Sequence, residues 1–415
     1  MRIVVVSIGS ELLIGHTINT NLAFIGEQLA GAGYTVDREV CIPDQTEVLA
    51  STIAEELGRA QVVITIGGLG PTRDDMTREI AARILGAPLR EQPTARRHIE
   101  DYLGARLNRL PQEALRVQSL VPQGATALLN DNGTAPGLWC PTGNGALVLL
   151  PGPPRELRPI FVEQVLPRLR ELLPPDSCRR GLRVCGMPES VVAEHLETNL
   201  ELEPEIELAY CARAGEVDIR LTAEPTMAQR LDQLLEQIKR LFGQAVVPDS
   251  GDLAASVADL LTARGWRLAL AESCTGGLLG ARLTERPGAS DFFTGGVVCY
   301  SNQVKRELLG VPEETLQHDG AVSEATVRGM ALGIMKRLAT ETAIAITGIA
   351  GPDGGSLDKP VGLVYIATGV NQDIQVRRRV FNGNRESIRQ RAATAALNDL
   401  RIHLSNCEST ENKTT

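Results

Sequence analysis

The 415-residue chain contains few lysines and few aromatic residues. Lysine and arginine together number 42, yet lysine occurs only at five positions, and Phe, Trp and Tyr make up 3% of the chain. The scarcity of aromatic residues weighs against a stacking platform for single-stranded nucleic acid. A net charge of −9 weighs against a general affinity for polyanions. We therefore do not expect nucleic acid as a partner.

The chain also lacks the patterns of metal-binding cysteines, disulfide scaffolds and membrane spans. Its eight cysteines include no CxxC pair, which fits neither a zinc site nor a small disulfide framework. No apolar run approaches the ~18 residues of a membrane span. The first residues, MRIVVVSIG, read as a strand without a basic segment and an apolar signal region before it. We expect a soluble, cytoplasmic protein with buried free thiols and no membrane partner.

Strand and helix signals alternate in two long regions, residues 1–172 and 250–405. This alternation predicts an α/β protein with two α/β sandwich domains and mostly parallel sheets. Residues 176–247 instead read β-α-β-β-α, a small α+β module that resembles KH-type modules in outline. It contains no GxxG, so a spacer or dimer-forming role is favoured over the clamping of RNA. The polar segment 406–415 is expected to be a disordered tail.

A glycine-rich turn follows an apolar segment in the N-terminal region. The β-branched run at 62–66 is typical of a strand buried on both faces. Glycines then permit a tight turn, and an apolar-periodic helix is predicted to open at Pro71 and Thr72. A turn of this kind offers backbone N–H groups to a phosphate. The residues expected to hold that phosphate are Gly67, Gly68, Gly70 and Thr72.

Two carboxylates, Asp74 and Asp75, are predicted in the first turn of this helix. They repel a phosphate unless a cation lies between them, so the pattern favours a metal-bridged phosphate site. The alternative is that acidic residues simply stabilise helix N-termini.

The C-terminal region combines a second glycine turn with few candidates for a general base. Ser273 begins the turn SCTGG at the end of an apolar strand, again a geometry suited to phosphate. The region contains only His318 and His403 as histidines, and His403 lies near the end of the chain, so a Ser-His-Asp triad is not expected. A buried lysine can replace histidine when its pKa is lowered. Spacing alone favours a solvated helix residue at Lys305.

The whole chain resembles the CinA family of competence/damage-inducible proteins. In the first third, the resemblance to the family's molybdopterin-binding-like domain rests on GSELLIG, GGLGPTRDDMT, GTAPG and PGPPRE. In the last part, the resemblance to its nicotinamide mononucleotide deamidase domain rests on AESCTGG, YSNQVK, ITGIAGPDGG and PVGLVY.

The resemblance assigns expected roles to individual residues. Ser290 falls on the nucleophile, Lys305 on its base and Tyr300 on a supporting hydroxyl. Arg385 lies in a stretch used for the substrate, a role that Arg389 could fill instead. Further positions expected to bind substrate are Ser273, Thr275, Gly276, Thr347, Gly348, Asn21 and Asp44. The expected metal ligands are Asp74, Asp75 and Glu11.

The resemblance also implies activities, cofactors and partners. The C-terminal domain is expected to deamidate nicotinamide mononucleotide to nicotinate mononucleotide and ammonia, without a cofactor. The N-terminal domain is expected to cleave ADP-ribose to AMP and ribose 5-phosphate with a divalent cation such as Mg²⁺. A homodimer is expected. Two alternatives stay open: an N-terminal domain that binds a molybdopterin-type pterin nucleotide, and a non-enzymatic accessory factor in competence or DNA repair.

Overall fold

The structure is a computed structural model that describes residues 2–72, 74–109, 111–248 and 252–411. The chain forms two compact units. Unit 1 comprises Met1–Arg179 and Ala223–Ala228, and unit 2 comprises Arg180–Thr222 and Gln229–Thr415. Within the described ranges, every helix is too short or too polar to cross a bilayer.

Strands and helices alternate along most of unit 1. In chain order they are β1 (Ile3–Ile8), α1 (Ser10–Leu13), α2 (Thr20–Gly31), β2 (Val36–Ile42), α3 (Thr46–Leu57), β3 (Val62–Ile66), α4 (Thr77–Ile84), β4 (Leu89–Glu91), α5 (Pro93–Leu103), α6 (Gln112–Gln118), β5 (Leu120–Pro122), β6 (Thr126–Leu128), β7 (Gly137–Thr142), β8 (Gly145–Leu150), α7 (Pro154–Ile160) and α8 (Leu166–Leu172).

A mixed sheet with the order β2-β1-β3-β8-β7-β6 forms the centre of unit 1. Strands β1, β2, β3 and β8 run parallel to one another. Strand β7 pairs with β8 in the antiparallel direction, and β6 pairs with β7 in the same way. Successive side chains of a strand point to opposite faces, and β1 accordingly contributes Ile3 and Val5 to one core and Val4 and Val6 to another. The predicted α/β class is confirmed, with antiparallel strands at one side of the sheet.

The helix after the glycine turn begins later than the sequence predicts. It opens at Thr77 rather than at Pro71 or Thr72. The N–H and hydroxyl of Thr72 both donate to Asp75 Oδ2, at 3.0 and 2.6 Å. The N–H of Thr77 donates to the Gly68 carbonyl. These bonds hold Thr72 against Asp75 and Thr77 against Gly68, and Asp74 and Asp75 lie before the helix rather than in its first turn.

The chain then passes through a small α+β module into a second α/β region. Its elements are β9 (Cys178–Cys185), α9 (Glu189–Asn199), β10 (Glu207–Arg213), β11 (Glu216–Ala223), α10 (Ala228–Phe242), β12 (Val246–Val247), α11 (Leu253–Thr262), β13 (Leu268–Glu272), α12 (Leu278–Thr284), β14 (Phe293–Val298), α13 (Asn302–Leu309), α14 (Glu313–His318), α15 (Glu324–Leu338), β15 (Thr342–Gly348), β16 (Leu363–Val370), β17 (Asp373–Val380) and α16 (Arg385–Glu411).

The small module has the predicted β-α-β-β-α order, followed by the short strand β12. Its sheet order is β10-β11-β9-β12. The hairpin turns at residues 214–215, where Arg213 pairs with Glu216. Helix α10 buries Leu231, Leu234 and Ile238 along one face, as its apolar spacing predicts.

The second α/β sheet has the order β14-β13-β15-β16-β17. Strand β13 is parallel to both β14 and β15, and the β15–β16 and β16–β17 pairs are antiparallel. Helix α16 continues to Glu411, so the predicted disordered tail is wrong for residues 406–411, and residues 412–415 lie outside the described residues. The side chain of Gln244 donates to Asn406 Oδ1 at 2.9 Å, which helps to hold the end of this helix.

The small module and the second α/β region share one hydrophobic core. Cys185 of β9 and Val247 of β12 belong to the same buried cluster as Val257 of α11 and Leu397 of α16. Residues 250–415 therefore contain strands and helices of their own but do not complete this core by themselves.

A fragment spanning residues 250–415 is expected to be less stable than one spanning 180–415. Each buried aliphatic side chain contributes about 1.5–3 kcal/mol, so we expect the free energy of unfolding to fall by about 2 kcal/mol or more when β9 and β12 are removed. Urea unfolding of both fragments measures the difference, with Val247→Ala in the longer fragment as an intermediate case. Equal unfolding midpoints for the two fragments would contradict the shared core.

Candidate functional site

The carboxyl ends of β13 and β15 form a topological switch point in unit 2, which we call the crevice. The chain leaves β13 for β14 on one side of it and returns to β15 on the other side, and ligands of open α/β sheets bind at such a switch point. Ser273 follows β13 directly, and its N–H donates to the Ile346 carbonyl in β15 at 2.9 Å. Ser273 is therefore fixed at the mouth of the crevice.

Lys305 on α13 lies beside Ser273. Its Nζ is 3.2 Å from Ser273 Oγ and also donates to the backbone carbonyls of Cys299 at 2.8 Å and Tyr300 at 3.3 Å. The side chain is only 1% exposed, and this burial lowers the pKa of the Lys305 ammonium below its ordinary value. The spacing-based prediction of a solvated Lys305 is wrong, because the turn after β14 folds the residue into the core.

Two cysteines near Lys305 are poor nucleophiles by comparison. Burial raises the pKa of the Cys274 thiol to about 12 and that of the Cys299 thiol to about 11. Both thiols are therefore protonated near neutral pH. The reactive form of cysteine is the thiolate, so both side chains are weak nucleophiles. Ser273 is thus the side chain best placed for nucleophilic chemistry beside Lys305.

Arg385 joins two of the loops at this edge. Its Nη1 donates to the Gly351 carbonyl at 2.8 Å, and its Nη2 donates to the Tyr300 hydroxyl at 3.2 Å. Arg385 and Tyr300 are both exposed, so a ligand in the crevice can reach them. Tyr300 reaches Lys305 through its backbone carbonyl, while its hydroxyl faces Arg385.

Arg389, one turn further along α16, holds the glycine turn. Its Nε and Nη2 donate to the Thr275 carbonyl at 3.2 and 2.6 Å. Thr275 is fully buried, and its hydroxyl has no hydrogen-bond partner in the structure. Gly276 has a φ of +61°, a conformation that favours glycine. Thr275 and Gly276 therefore shape the turn through the Arg389 contact and the positive φ.

The two predicted substrate-binding residues of β15 are engaged in packing. The Thr347 hydroxyl donates to the Ala321 carbonyl at 2.7 Å. A Cβ at Gly348 would lie 2.7 Å from the Leu363 carbonyl oxygen on β16. The absence of a side chain at Gly348 is thus explained by close strand packing.

Ser290 lies at the opposite end of the sheet from Lys305. Its carbonyl accepts from Arg267 Nη1 at 2.6 Å, and Arg267 directly precedes β13, whereas Ser273 directly follows it. The five residues of β13 span about 17 Å at roughly 3.3 Å per residue. Within one chain, the expected pairing of Ser290 with Lys305 is therefore wrong, and Ser273 replaces it.

The glycine turn of unit 2 is also closed to phosphate by its own chain. The Glu272 carboxylate accepts from the N–H groups of Gly277, Leu279 and Gly280 at 3.1, 3.1 and 2.9 Å. These are the groups that an anion at the start of α12 would use. The expectation of a phosphate site at the helix start in ESCTGG is wrong, because a buried carboxylate already fills it. Sequence reasoning missed Glu272, although an acidic residue at the end of an apolar strand was the available signal.

Unit 1 also has a switch point, at the carboxyl ends of β1 and β3. Gly67 has a φ of +108°, and a Cβ there would lie 2.8 Å from the Ile8 carbonyl oxygen. Gly68 has a φ of +68°, and a Cβ at Gly70 would lie 2.4 Å from Asp75 Oδ2. Glycine is thus required at this turn by backbone conformation and by close approach.

Asn21 and Asp44 border the same edge of unit 1. Asn21 Nδ2 donates to the Gly152 carbonyl at 2.7 Å, and its Oδ1 is buried without a partner among the described residues. Asp44 Oδ2 accepts from the Ser10 N–H at 2.9 Å. Asn21 leaves an acceptor available, whereas Asp44 stabilises the start of α1.

The three expected metal ligands do not form a preassembled site. Among the residues described, no three His, Cys, Asp or Glu side chains come together in a metal-binding arrangement. Asp75 is held by Thr72, and Asp74 and Glu11 are exposed. Asp74, Asp75 and Glu11 therefore remain a prediction as metal ligands, and their side chains are not gathered into one site among the described residues.

A buried polar pair near this edge was missed from the sequence. Asn130 Nδ2 donates to Glu156 Oε2 at 2.7 Å and to the Ala135 carbonyl at 2.8 Å. A Cβ at Gly133 would lie 2.1 Å from Glu156 Oε2. The motifs NDNGTAPG and PGPPRE are therefore joined through Glu156.

Taken as a class, the molecule is an α/β protein with two switch-point crevices, one of which contains a buried serine–lysine pair. The model of the CinA C-terminal domain matches residues 250–404, that of the probable molybdopterin binding domain residues 4–171, and that of the damage-inducible protein CinA KH domain residues 179–247.

Relatives match nearly the whole chain. A putative competence-damage inducible protein of Moorella thermoacetica is 42% identical over 400 residues, covering 94% of this chain and 95% of its own. A CinA-like protein of Syntrophomonas wolfei is 40% identical over 409 residues, covering 97% and 98%. The chain belongs to the CinA family.

Solved structures match one part of the chain. The competence damage-inducible protein A of Klebsiella pneumoniae is 42% identical, with a TM-score of 0.36, and covers 37% of this chain and 95% of its own. The protein CinA of Thermoplasma acidophilum is 34% identical, with a TM-score of 0.36, and covers 41% and 98%.

Proposed function

We propose that unit 2 is an amidohydrolase that converts nicotinamide mononucleotide to nicotinate mononucleotide and ammonia. The observation that carries this proposal is the 3.2 Å contact between Ser273 Oγ and the buried Lys305 Nζ. A serine hydroxyl needs a base to act as a nucleophile, and burial of Lys305 favours the neutral amine that can accept its proton. The choice of nicotinamide mononucleotide as the substrate rests on the resemblance of AESCTGG and YSNQVK to the family's deamidase domain.

The proposed reaction proceeds in two steps. Ser273 Oγ attacks the carboxamide carbon, and its proton passes to Lys305 Nζ. Lys305 then protonates the leaving nitrogen, ammonia departs, and an ester joins the nicotinoyl group to Ser273. A water molecule attacks this ester while Lys305 takes a proton from the water. The ester bond breaks, Ser273 recovers its proton, and the carboxylate product leaves. No cofactor takes part.

Arg385 supports the choice of a phosphorylated substrate. Its exposed guanidinium lies at the crevice and bonds the Tyr300 hydroxyl and the Gly351 carbonyl. Arginine suits phosphate because its planar donors can bind two oxygens together. We propose that Arg385 receives the phosphate of the mononucleotide, since the start of α12 is occupied by Glu272.

The direct test is incubation of the full-length protein with nicotinamide mononucleotide. Release of equal amounts of nicotinate mononucleotide and ammonia is the expected result. Ser273→Ala prepared in parallel controls for a contaminating amidase. Release of free nicotinamide instead would indicate cleavage of the glycosidic bond and would refute the amidase proposal.

For unit 1 we propose cleavage of ADP-ribose to AMP and ribose 5-phosphate. Its support is the glycine turn at the switch point together with the buried, unpartnered Oδ1 of Asn21. The part of the chain that the structure describes does not preassemble three ligands, but Mg²⁺ bound to phosphates needs only one or two protein carboxylates. We therefore propose that a divalent cation accompanies the diphosphate, with the exposed Asp74 as one of its protein ligands.

Removal of divalent cations with a chelator is expected to stop ADP-ribose cleavage and to leave deamidation unchanged. The physical reason is that an uncompensated diphosphate is repelled by the carboxylates at residues 74 and 75. Both products are measured in one sample, so the deamidase serves as the internal control. Undiminished release of AMP in the presence of the chelator would contradict the proposed role of the cation.

Two other functions are distinguished by binding measurements. Tighter binding of an adenylated pterin than of ADP-ribose would favour a pterin-nucleotide site in unit 1. Salt-dependent binding of DNA would favour an accessory role in competence or repair. The proposed homodimer is tested by the sedimentation of the full-length protein.

A further inference from the structure

Glu272 is a buried carboxylate that directly precedes Ser273 in the chain. Its side chain is 3% exposed, and its two oxygens accept three backbone N–H groups from the start of α12. A carboxylate is stabilised at a helix N-terminus because the free N–H groups there carry partial positive charge. The chain thus supplies its own anion to this turn.

The same residue is joined to Lys305 through its backbone. The Glu272 carbonyl accepts from the Cys299 N–H at 2.8 Å, and the Cys299 carbonyl in turn accepts from Lys305 Nζ at 2.8 Å. The residue before the serine is therefore two hydrogen bonds away from the lysine amine. Its side chain fixes the turn after the serine, and its carbonyl holds Cys299, which directly follows β14 and carries one of the acceptors of the lysine.

We infer that Glu272 is the positioning residue of the serine–lysine pair, an inference that rests on the proposed amidase activity. Its carboxylate takes the place of a bound anion at α12 and thereby holds Ser273 Oγ within reach of Lys305 Nζ. It exchanges no proton with the substrate. Misplacement of a reacting group by about 1 Å lowers turnover by roughly 10²-fold, so loss of this carboxylate acts on turnover more than on substrate binding.

Glu272→Gln tests the inference with little change in side-chain volume. An amide offers only one acceptor oxygen and places an NH₂ group against backbone N–H donors. We expect kcat for nicotinamide mononucleotide to fall by about 10²-fold, with KM within about twofold and the midpoint of the pH–rate profile unchanged. Loss of that pH dependence would make Glu272 a proton-transfer group and overturn the inference. So would a kcat equal to that of the unmodified protein.

A second readout does not depend on the substrate. The rate at which an organophosphorus serine reagent labels Ser273 reports the activated hydroxyl itself, with the labelled residue identified by peptide mass. Slower labelling in Glu272→Gln supports the positioning role even if nicotinamide mononucleotide is not the substrate, which would refute only the proposed function. Absence of labelling in the unmodified protein, or equal rates in both, overturns the inference.

Glu341→Gln is the matched control. Glu341 Oε2 also accepts a backbone N–H, from Arg267 at 2.8 Å, but it does so at the other end of β13. The same chemical change there is expected to leave kcat and the labelling rate unchanged. Thermal unfolding of both variants separates a general loss of stability from a specific loss of turnover, and an equal kcat loss in both variants would contradict positioning by Glu272.

Discussion

Replacement of Lys305 by arginine is expected to abolish deamidation as completely as replacement by alanine. The Nζ atom lies 3.2 Å from Ser273 Oγ in a buried site. A guanidinium remains protonated near neutral pH and cannot take the serine proton. Loss of a general base lowers turnover by about 10²-fold or more. Initial rates of ammonia release from nicotinamide mononucleotide measure the effect.

Lys336→Arg provides the control for this substitution, because Lys336 lies in the last turn of α15, away from the crevice. It is expected to retain normal turnover. If Lys305→Arg kept most of the activity, the lysine would serve as a positive charge, and the base would have to be another group.

The pH–rate profile gives an independent check on Lys305. Burial lowers the pKa of its ammonium below the ordinary lysine value, so the reactive neutral amine is present at lower pH than for an exposed lysine. The rate should rise with pH through this pKa and fall about tenfold per pH unit below it. A rate that rises only where exposed lysines titrate would contradict the effect of burial.

Ser273→Ala is expected to lower turnover by about 10³-fold or more, whereas Ser290→Ala keeps most of it. Removal of a nucleophile leaves only the contribution of binding and electrostatic stabilisation. Ser290 is exposed at the far end of β13, where a surface substitution usually changes stability by less than about 0.5 kcal/mol. The kcat values of the two variants decide between the two serines.

The opposite result would have a specific meaning. If Ser290→Ala were inactive and Ser273→Ala active, Ser290 would have to reach Lys305 from a second copy of the chain. Mixing Ser290→Ala with Lys305→Ala would then restore activity by forming one complete site. With Ser273 as the nucleophile, mixing restores nothing: the mixture has only the activity of the Ser290→Ala protein that it contains, because Lys305→Ala lacks its base.

The sequence predicts the layers of the fold well because buried parallel strands are continuous apolar runs. The segments IVVVSI, VVITI and GALVLL become β1, β3 and β8, which are buried along their length. The start of α4 was less predictable, since Thr72 and Asp75 form a local turn that competes with helix. The extension of α16 past residue 405 includes a contact between Asn406 and Gln244, which lies 162 positions away in the sequence.

The sequence correctly predicts which strand ends form the site, but it does not predict which side chains contact one another there. The segments 273–277 and 300–305 do meet, because they follow β13 and β14, which are neighbouring parallel strands. The choice between Ser273 and Ser290 depends on which end of a strand each occupies, and the strand pairing resolves it. The burial of Lys305 and the capping by Glu272 both arise from tertiary contacts, which spacing along the chain does not reveal.

The bond from Arg389 to Thr275 links residues that are 114 positions apart. Closure of so long a loop costs conformational entropy, and this tether becomes available only after α16 has been made and has docked. A chain that stops before Arg389 would contain Ser273, Lys305 and Tyr300 but would hold the glycine turn through Glu272 alone. This contact therefore forms only after the chain has been made as far as α16 and that helix has packed against the glycine turn.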